Sequence, residues 1–221
     1  VANFALQAAN GNIDAFKELS STRAAIAAAV QHLNQGDADS GLPAYGDAIG
    51  VRDSMAALTK SWNQLSADLG KIEANKDAVL DSASQAAAFN QRMPDLNSKI
   101  NQVISILQSK GSAASIYTAS QLMVSGDRLI RRVGDVLQGG VDSASAANGL
   151  ALDSTNYGGT LKQLADGSSG EAERILTGVQ KSWSGLEAPV QEVIAAAPTL
   201  VTVKNAATQA SVDSQDVLLK A

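Results

Sequence analysis

The chain has 221 residues, of which 45% are hydrophobic and 4% aromatic, and its formal net charge is −5. A chain of this length and apolar content can bury a core, which excludes a fully disordered protein. No cluster of basic residues exceeds the pair Arg131-Arg132, so the basic stripe that a nucleic-acid surface requires is absent and no nucleic-acid partner is expected. The lack of cysteine excludes disulfides and thiolate metal sites.

The composition favours helices over sheets. Alanine and serine are abundant, aromatic residues are few and there are only 4 prolines, which suits helices that pack closely through small side chains. No segment alternates apolar and polar residues as a half-buried strand does. The sequence therefore predicts an all-α fold. No apolar run approaches the roughly 20 residues of a membrane-spanning helix, so the chain as given is expected to behave as a soluble fragment.

The first part of the chain is predicted to form three helices, over residues 1–10, 12–35 and 47–91. The longest loop between them runs from Gly36 to Pro43, where glycine and proline interrupt the apolar pattern. The chain begins at Val1, without methionine and inside a helical pattern. We therefore expect that an earlier part of this helix, with an upstream membrane anchor, is missing from the sequence.

The second part is predicted to continue as a long helix over about residues 97–138, interrupted at Gly111-Ser112. A helix to about Leu164 and a final helix reaching Lys220 follow. Proline cannot donate a backbone hydrogen bond and clashes with the preceding turn, so each proline inside a helical pattern is expected to kink, restart or break its helix. These positions are Pro94, Pro189 and Pro198.

Two parts of the chain repeat one pattern of apolar residues. The segments Lys60-Ser61-Trp62 and Lys181-Ser182-Trp183 lie 121 positions apart, and seven apolar positions recur at this distance with the steps of three and four that an amphipathic helix shows. The sequence therefore predicts a tandem of two related modules, residues 1–95 and 96–221. Each module is expected to be an antiparallel helical bundle, and the two are expected to be stacked and joined by long helices. The matched positions are Met55, Leu58, Trp62, Leu65, Leu69, Ile72 and Val79 in the first copy and Leu176, Val179, Trp183, Leu186, Val190, Val193 and Leu200 in the second.

Groups that could carry catalysis are scarce. His32 is the only histidine and is expected to be a surface residue near a helix end, and no Glu-x-x-His pair is present for a di-iron site. The sequence therefore predicts a protein that is not an enzyme, with no catalytic residue, metal or cofactor. The remaining carboxylates are expected singly on solvated helix faces, as at Asp68, Glu73, Asp77 and Asp81.

The two tryptophans, Trp62 and Trp183, lie on the repeated apolar stripes. They are expected to anchor the two cores, and a ligand pocket between helices stays open as the alternative.

The segment from Tyr117 to Leu129 combines small residues, which allow close approach of another helix, with polar ones. It is interpreted either as an ordinary interhelical hydrogen-bond patch or as a ligand or dimer seam. The residues of this predicted seam are Ser120, Gln121, Met123, Asp127 and Arg128.

The same segment, followed by Arg131-Arg132 and Gly139-Gly140, resembles the motif ASELRxLSQRIxKxxxExxxG of the PilJ-type sensor domain. That family forms the periplasmic part of type IV pilus methyl-accepting chemoreceptors and is similar to the ectodomains of nitrate-responsive kinases. The stretches NIDAFKEL and LNQGD near the start are typical of the second half of the motif. The resemblance covers most of residues 1–37 and 116–168, and the Lys-Ser-Trp helices are supported by the repeat alone.

The resemblance implies a periplasmic sensing domain of an inner-membrane chemoreceptor that controls twitching motility. Helix displacement would carry its signal to a cytoplasmic histidine kinase and a coupling protein through regions outside this chain. It also implies a homodimer in the full-length receptor and a pilus protein as a candidate partner. Met123 stands where nitrate sensors have the arginine that binds the anion, and a thioether cannot supply that charge, so nitrate is disfavoured as the ligand.

A second class of function stays open. The chain could be a structural or assembly protein, such as a secretion, filament or granule-coat subunit built from alanine-rich helices, with no sensory role. Such a protein would start at its own methionine and oligomerise without a membrane anchor. Spanning helices before Val1 and after Ala221 would favour the receptor.

Overall fold

The computed structural model describes residues 1–110, 113–140 and 142–220, with Lys110 described by its backbone alone. This part of the chain contains seven α-helices and no β-strand, so the predicted all-α fold is confirmed. A single antiparallel bridge joins Asp37 and Leu42. The helices are α1 (Ala2–Ala9), α2 (Ile13–Gln35), α3 (Arg52–Ala74), α4 (Lys76–Lys110), α5 (Ala113–Gln138), α6 (Ser143–Asp166) and α7 (Glu171–Lys220).

Both ends of α2 follow from local side-chain chemistry. At its start, the Asn12 Oδ1 accepts hydrogen bonds from the backbone N–H groups of Asp14 at 3.0 Å and Ala15 at 3.2 Å, as an N-cap residue does. At its end, Gly36 has a φ of 78°, and a Cβ there would lie 2.9 Å from the backbone oxygen of Leu42. Glycine is therefore required where α2 turns into the loop.

The predicted helix over residues 47–91 is wrong, because the chain forms two helices there, α3 and α4, separated at Asn75. The side-chain Nδ2 of Asn75 donates to the backbone oxygen of Lys71 at 2.8 Å. Asparagine competes in this way with the backbone for helical hydrogen-bond partners, which explains the interruption.

The prolines do not end their helices. Pro94 lies inside α4, and Pro189 and Pro198 lie inside α7, so no helix restarts or breaks at these positions, and the kinks expected as the alternative stay a prediction. A proline inside a helix costs about 3 kcal/mol, but buried apolar residues on both sides of each proline hold the helix in place. At Pro94 these are Met93 and Leu96. The expected interruption at Gly111-Ser112 lies outside the described residues.

The chain divides into two compact units. Unit 1 comprises residues 1–80 and the chain from residue 201 on, and unit 2 comprises Asp81–Leu200. The boundaries between the units fall within α4 and within α7. They therefore differ from the boundary between the predicted modules 1–95 and 96–221. These modules describe the sequence repeat and stay a prediction. The end of α7 belongs to unit 1 because it contacts α3, where the Lys220 Nζ donates to the Ser61 Oγ at 2.8 Å.

Each unit has its own core of small and branched apolar side chains. All fourteen matched positions of the two apolar stripes are buried, including Trp62 and Trp183. The amphipathic pattern therefore identified the inward faces of α3, of the first turn of α4 and of α7. The structure thus shows that both copies of the apolar pattern are buried. That the two copies form a tandem repeat stays a prediction.

Candidate functional site

Helix α5 carries all five residues of the predicted seam. Residues three, four and seven apart share one side of a helix. The buried side of α5 is formed by Ala119, Leu122, Gly126, Leu129, Val133 and Val136. Ser120, Met123 and Asp127 follow one flank of this side, whereas Gln121 and Arg128 follow the other. The structure thus divides the predicted seam between two flanks.

One flank of α5 contacts α4. The Asn97 Nδ2 of α4 donates to the Asp127 Oδ1 at 3.0 Å. A Cβ on the buried Gly126 would lie 2.5 Å from the Asn97 Oδ1 and 2.7 Å from the Met93 Cε. The absence of a side chain at Gly126 therefore allows the close approach of a second helix, as the small residues of this segment predicted. Ser120 bonds within its own helix, from its Oγ to the backbone oxygen of Ile116 at 2.9 Å.

The other flank of α5 contacts α6 through charged side chains. The Arg128 Nε lies 2.9 Å and the Arg132 Nε 2.5 Å from the same oxygen, the Asp153 Oδ2. The side chain of Asp153 is only 7% exposed, against 45% for Arg128 and 33% for Arg132. Two guanidinium groups on one carboxylate compensate its loss of hydration.

Sequence reasoning missed Asp153 in this arginine–aspartate cluster, which comprises Arg128, Arg132 and Asp153. A signal was present, because Asp153 stands on the apolar stripe of α6, three residues after Leu150 and four before Tyr157. An acidic residue on an inward-facing stripe needs a cationic partner. The two arginines on α5, which lie four positions apart on one side of the helix, were candidates for that partner.

A cavity of about 490 Å³ lies beside the cluster, between the end of α5 and the start of α6. Its volume is within the range of small-molecule sites. Its lining carries charges of both signs, so it can hold a polar molecule or water. The lining residues are Arg132, Asp135, Gln138, Gly140, Asp142, Ser143, Ser145 and Ala146.

Trp183 packs against Tyr157 inside unit 2, with ring centroids 4.4 Å apart and planes inclined at 45°. The Tyr157 hydroxyl and the Trp183 Nε1 are buried, and neither has a hydrogen-bond partner among the described residues. Burial raises the pKa of Tyr157 well above its usual value. Trp62 is 6% exposed in unit 1. Both tryptophans thus lie where the anchors of a core would lie.

The four carboxylates expected on solvated faces differ in their surroundings. Asp77 and Asp81 are exposed. Asp68 is buried and its Oδ1 lies 2.7 Å from the Lys71 Nζ, and the Glu73 Oε2 pairs with the Arg23 Nη1. The expectation is therefore wrong for Asp68 and Glu73, because each has a basic residue within reach that allows its partial burial.

The single histidine of the chain lies at the surface near the end of a helix. His32 is half exposed in the last turn of α2, with its Nδ1 3.6 Å from the Asp37 Oδ2. A hydrogen bond from the Ser40 hydroxyl holds the pKa of Asp37 below its usual value. Across residues 1–110, 113–140 and 142–220, no group of three His, Cys, Asp or Glu side chains could hold a metal ion. None of the described helices combines the length and apolar character needed to cross a bilayer.

The chain is similar to two curated proteins, although no family model matches it. It is 26% identical over 231 residues to Protein PilJ of Pseudomonas aeruginosa, a match that covers 100% of this chain and 34% of the relative. It is 25% identical over 229 residues to a protein of Alcanivorax borkumensis named as methyl-accepting chemotaxis AlkN, covering 99% of this chain and 32% of the relative. The chain thus spans about one third of the length of the curated relatives it matches. The resemblance indicated by the motifs is confirmed: over nearly its whole length, this chain is similar to PilJ and to a protein named as methyl-accepting chemotaxis.

Proposed function

We propose that this chain is the periplasmic sensing domain of a transmembrane chemoreceptor that controls type IV pilus twitching motility. The observation that carries the proposal is the extent of the similarity, since 99% to 100% of the chain matches about one third of Protein PilJ and of a protein named as methyl-accepting chemotaxis AlkN. The motif in α5 supports the same assignment.

The proposed signal is a displacement of helices. Helix α7 has 50 residues and is the longest helix of the described chain. Its backbone hydrogen bonds make such a helix stiff along its axis, so a shift at one end moves the other. A ligand produces this shift only if it binds one packing of the helices more tightly than another. A histidine kinase and a coupling protein would receive the movement through regions outside this chain.

The predicted seam is proposed to serve ligand binding or dimer formation in the full-length receptor. The outward side of α5 exposes Tyr117 by 66% and Val124 by 58%, next to Gln121 and Arg128. Exposed apolar groups flanked by polar ones are typical of helix surfaces that meet a partner. We propose a second copy of the receptor as the partner of this side, and a pilus protein as a further partner of the domain.

Replacement of the matching segment of the Pseudomonas aeruginosa protein by this chain tests the function. The chimera is expected to restore twitching zones to a strain whose protein lacks that segment. A chimera that reaches normal abundance in the membrane and leaves the strain unable to twitch contradicts the proposal.

The location is tested separately, in the natural full-length protein. Alkaline phosphatase fused within α6 should be active, because this enzyme folds only outside the cytoplasm. Inactive fusions that are present at normal levels would place the domain inside the cell. Filaments formed by the purified chain alone would favour the structural or assembly protein instead.

A further inference from the structure

A groove in unit 1 lies along the outer side of the first half of α3, and the end of α2 and the loop before α3 form its other wall. We call it the α3 groove. Its volume is about 790 Å³, within the range of pockets that bind small molecules. Six of its lining residues are exposed, so a solute can reach their side chains directly from solvent. They are Asp47, Arg52, Ala56, Lys60, Asn63 and Gln64.

Hydrogen bonds between α2, the loop and α3 hold the wall of this groove in place. The backbone N–H of Gly46 donates to the backbone oxygen of Asn34 at 3.1 Å, and the Asn34 Nδ2 donates to the Thr59 Oγ1 at 3.0 Å. A Cβ on Gly46 would lie 2.8 Å from the same backbone oxygen, so glycine is required for the loop to come this close. Gly46 therefore lies near Thr59 of α3.

The same wall brings a carboxylate alongside α3. Two residues after Gly46, the backbone oxygen of Ala48 accepts a hydrogen bond from the backbone N–H of Arg52 at 3.2 Å. Because Gly46 lies near Thr59 and Ala48 lies at the start of α3, the residue between them, Asp47, lies beside the first two turns of this helix. Its position in the wall is thus set by contacts on both sides of it.

Three charged side chains line the groove, and none of them belongs to an ion pair within the described part of the chain. Two are Arg52 and Lys60, whose Cα atoms are separated by about 12 Å along the axis of α3. Ala56 lies midway between them, and its small side chain leaves room for a solute. With Asp47 in the opposite wall, the charges follow the order positive, negative, positive along the groove.

A solute that complements this order carries two anionic groups with a cationic group between them. Aspartate and glutamate have two carboxylates, and their ammonium is bound to a carbon atom between the two. The side-chain amides of Asn63 and Gln64 also line the groove and can donate to carboxylate oxygens. A dicarboxylate without an ammonium would put two negative charges beside Asp47, and a neutral amino acid would leave one of the two cations without a partner.

We propose that the α3 groove binds an acidic amino acid, whose two carboxylates pair with Arg52 and Lys60 and whose ammonium pairs with Asp47. This inference rests on the proposed function and names the ligand class of the sensor. Each of the three pairs is open to solvent and contributes little alone, so we expect a dissociation constant of about 0.1–1 mM. Added salt should weaken the binding, because it screens exposed charges.

NMR titration of the purified, ¹⁵N-labelled 221-residue chain tests this, with L-aspartate and L-glutamate added separately up to about 10 mM at low ionic strength. At least one of them should shift the amide signals of the groove residues in a saturable way. The matching dicarboxylate, succinate or glutarate, and the matching amine with one carboxylate, β-alanine or γ-aminobutyrate, should each bind at least about threefold more weakly. The proposal is overturned if neither amino acid binds, if the shifts lie outside the groove, or if the dicarboxylate binds as tightly as the amino acid.

Two substitutions test the charges of the groove. Lys60→Met and Asp47→Asn should each weaken the binding of the amino acid by about threefold or more. Both positions are exposed, so both variants should fold as the natural chain does. Matched controls are Lys181→Met, the counterpart of Lys60 in the other Lys-Ser-Trp segment, and Asp53→Asn, in the first turn of α3 and outside the groove; both should bind as the natural chain does.

Unchanged binding in either Lys60→Met or Asp47→Asn overturns the assignment to this groove. The proposed function fails separately from it. A chimera that restores twitching while neither acidic amino acid binds refutes the groove alone. A chimera that binds one of them with the expected dependence on Lys60 and leaves the strain unable to twitch refutes the proposed function alone.

Discussion

The guanidinium of Arg132 lies directly against the backbone of α6 at Gly149, where a Cβ atom would be 2.0 Å from the Arg132 Nη1. Replacement of a glycine inside a helix by alanine normally raises the free energy of unfolding by about 1 kcal/mol. At Gly149 this gain is opposed by displacement of the guanidinium from its place beside Asp153. We predict that Gly149→Ala leaves the free energy of unfolding unchanged or lower, and that in an Arg132→Met background the same substitution stabilises by about 1 kcal/mol.

Urea unfolding followed by circular dichroism measures all four members of this double-mutant cycle. Gly178→Ala is the matched control, because a Cβ at this exposed position of α7 has no heavy atom within 4 Å. It should stabilise by about 1 kcal/mol in both backgrounds. Additive effects of Gly149→Ala and Arg132→Met would show that the two residues do not meet.

Asp153 is predicted to contribute stability through its two arginines. Asp153→Asn keeps the size of the side chain and removes its charge, so Arg128 and Arg132 lose their shared partner. We expect a loss of about 1–3 kcal/mol, less than for a fully enclosed pair because both arginines are partly exposed. Urea unfolding measures the loss.

Asp166→Asn is the control for Asp153. Its pair with Lys162, at 2.6 Å, has side chains that are 63% and 70% exposed. Such a surface pair is worth about 0.5 kcal/mol or less. An equal effect of the two substitutions would contradict the idea that burial makes the Asp153 cluster important.

The periodicity of apolar residues was sufficient to predict the helical fold and the buried stripes, because burial of one helix face depends on residues three and four apart. Features that depend on a single competing interaction were not predictable in this way. The break at Asn75 depends on one side-chain hydrogen bond, and α4 continues past Pro94 because tertiary packing outweighs a local penalty.

The candidate sites show the same limit. Spacing along α5 could not indicate that Asp127 and Arg128, which are adjacent in sequence, would contact different helices. Nor could it indicate that Glu73 would meet Arg23, fifty residues earlier, since pairing between helices depends on how they are packed. Opposite charges on the inward flanks of two predicted helices were the available signal.

Gly126 is predicted to be required for the approach of α4 to α5. Gly126→Ala places a methyl group within 2.5–2.7 Å of the ends of Asn97 and Met93, so both side chains must move. We expect a loss of about 1–3 kcal/mol, which exceeds the helical preference for alanine.

Gly134→Ala is the control on the same helix, since a Cβ there has open space around it. It should stabilise by up to about 1 kcal/mol. Thermal and urea unfolding of both variants distinguish a steric cost at Gly126 from a general effect of alanine on α5. A stabilised Gly126→Ala chain would contradict the close packing.

Tyr157 is predicted to make the chain sensitive to alkali. Burial raises its pKa in the folded state, so the folded chain keeps the phenol proton at a pH where the unfolded chain has lost it. The stability from this residue is therefore fully present below the unfolded pKa, near 10, and decreases above it by about 1.4 kcal/mol per pH unit.

Tyr157→Phe should remove this slope and should not lower stability near pH 7, because the hydroxyl has no partner among the described residues. Urea unfolding between about pH 8 and 11 measures the difference between the variant and the natural chain, and Tyr117→Phe, at a 66% exposed position, should keep the slope of the natural chain.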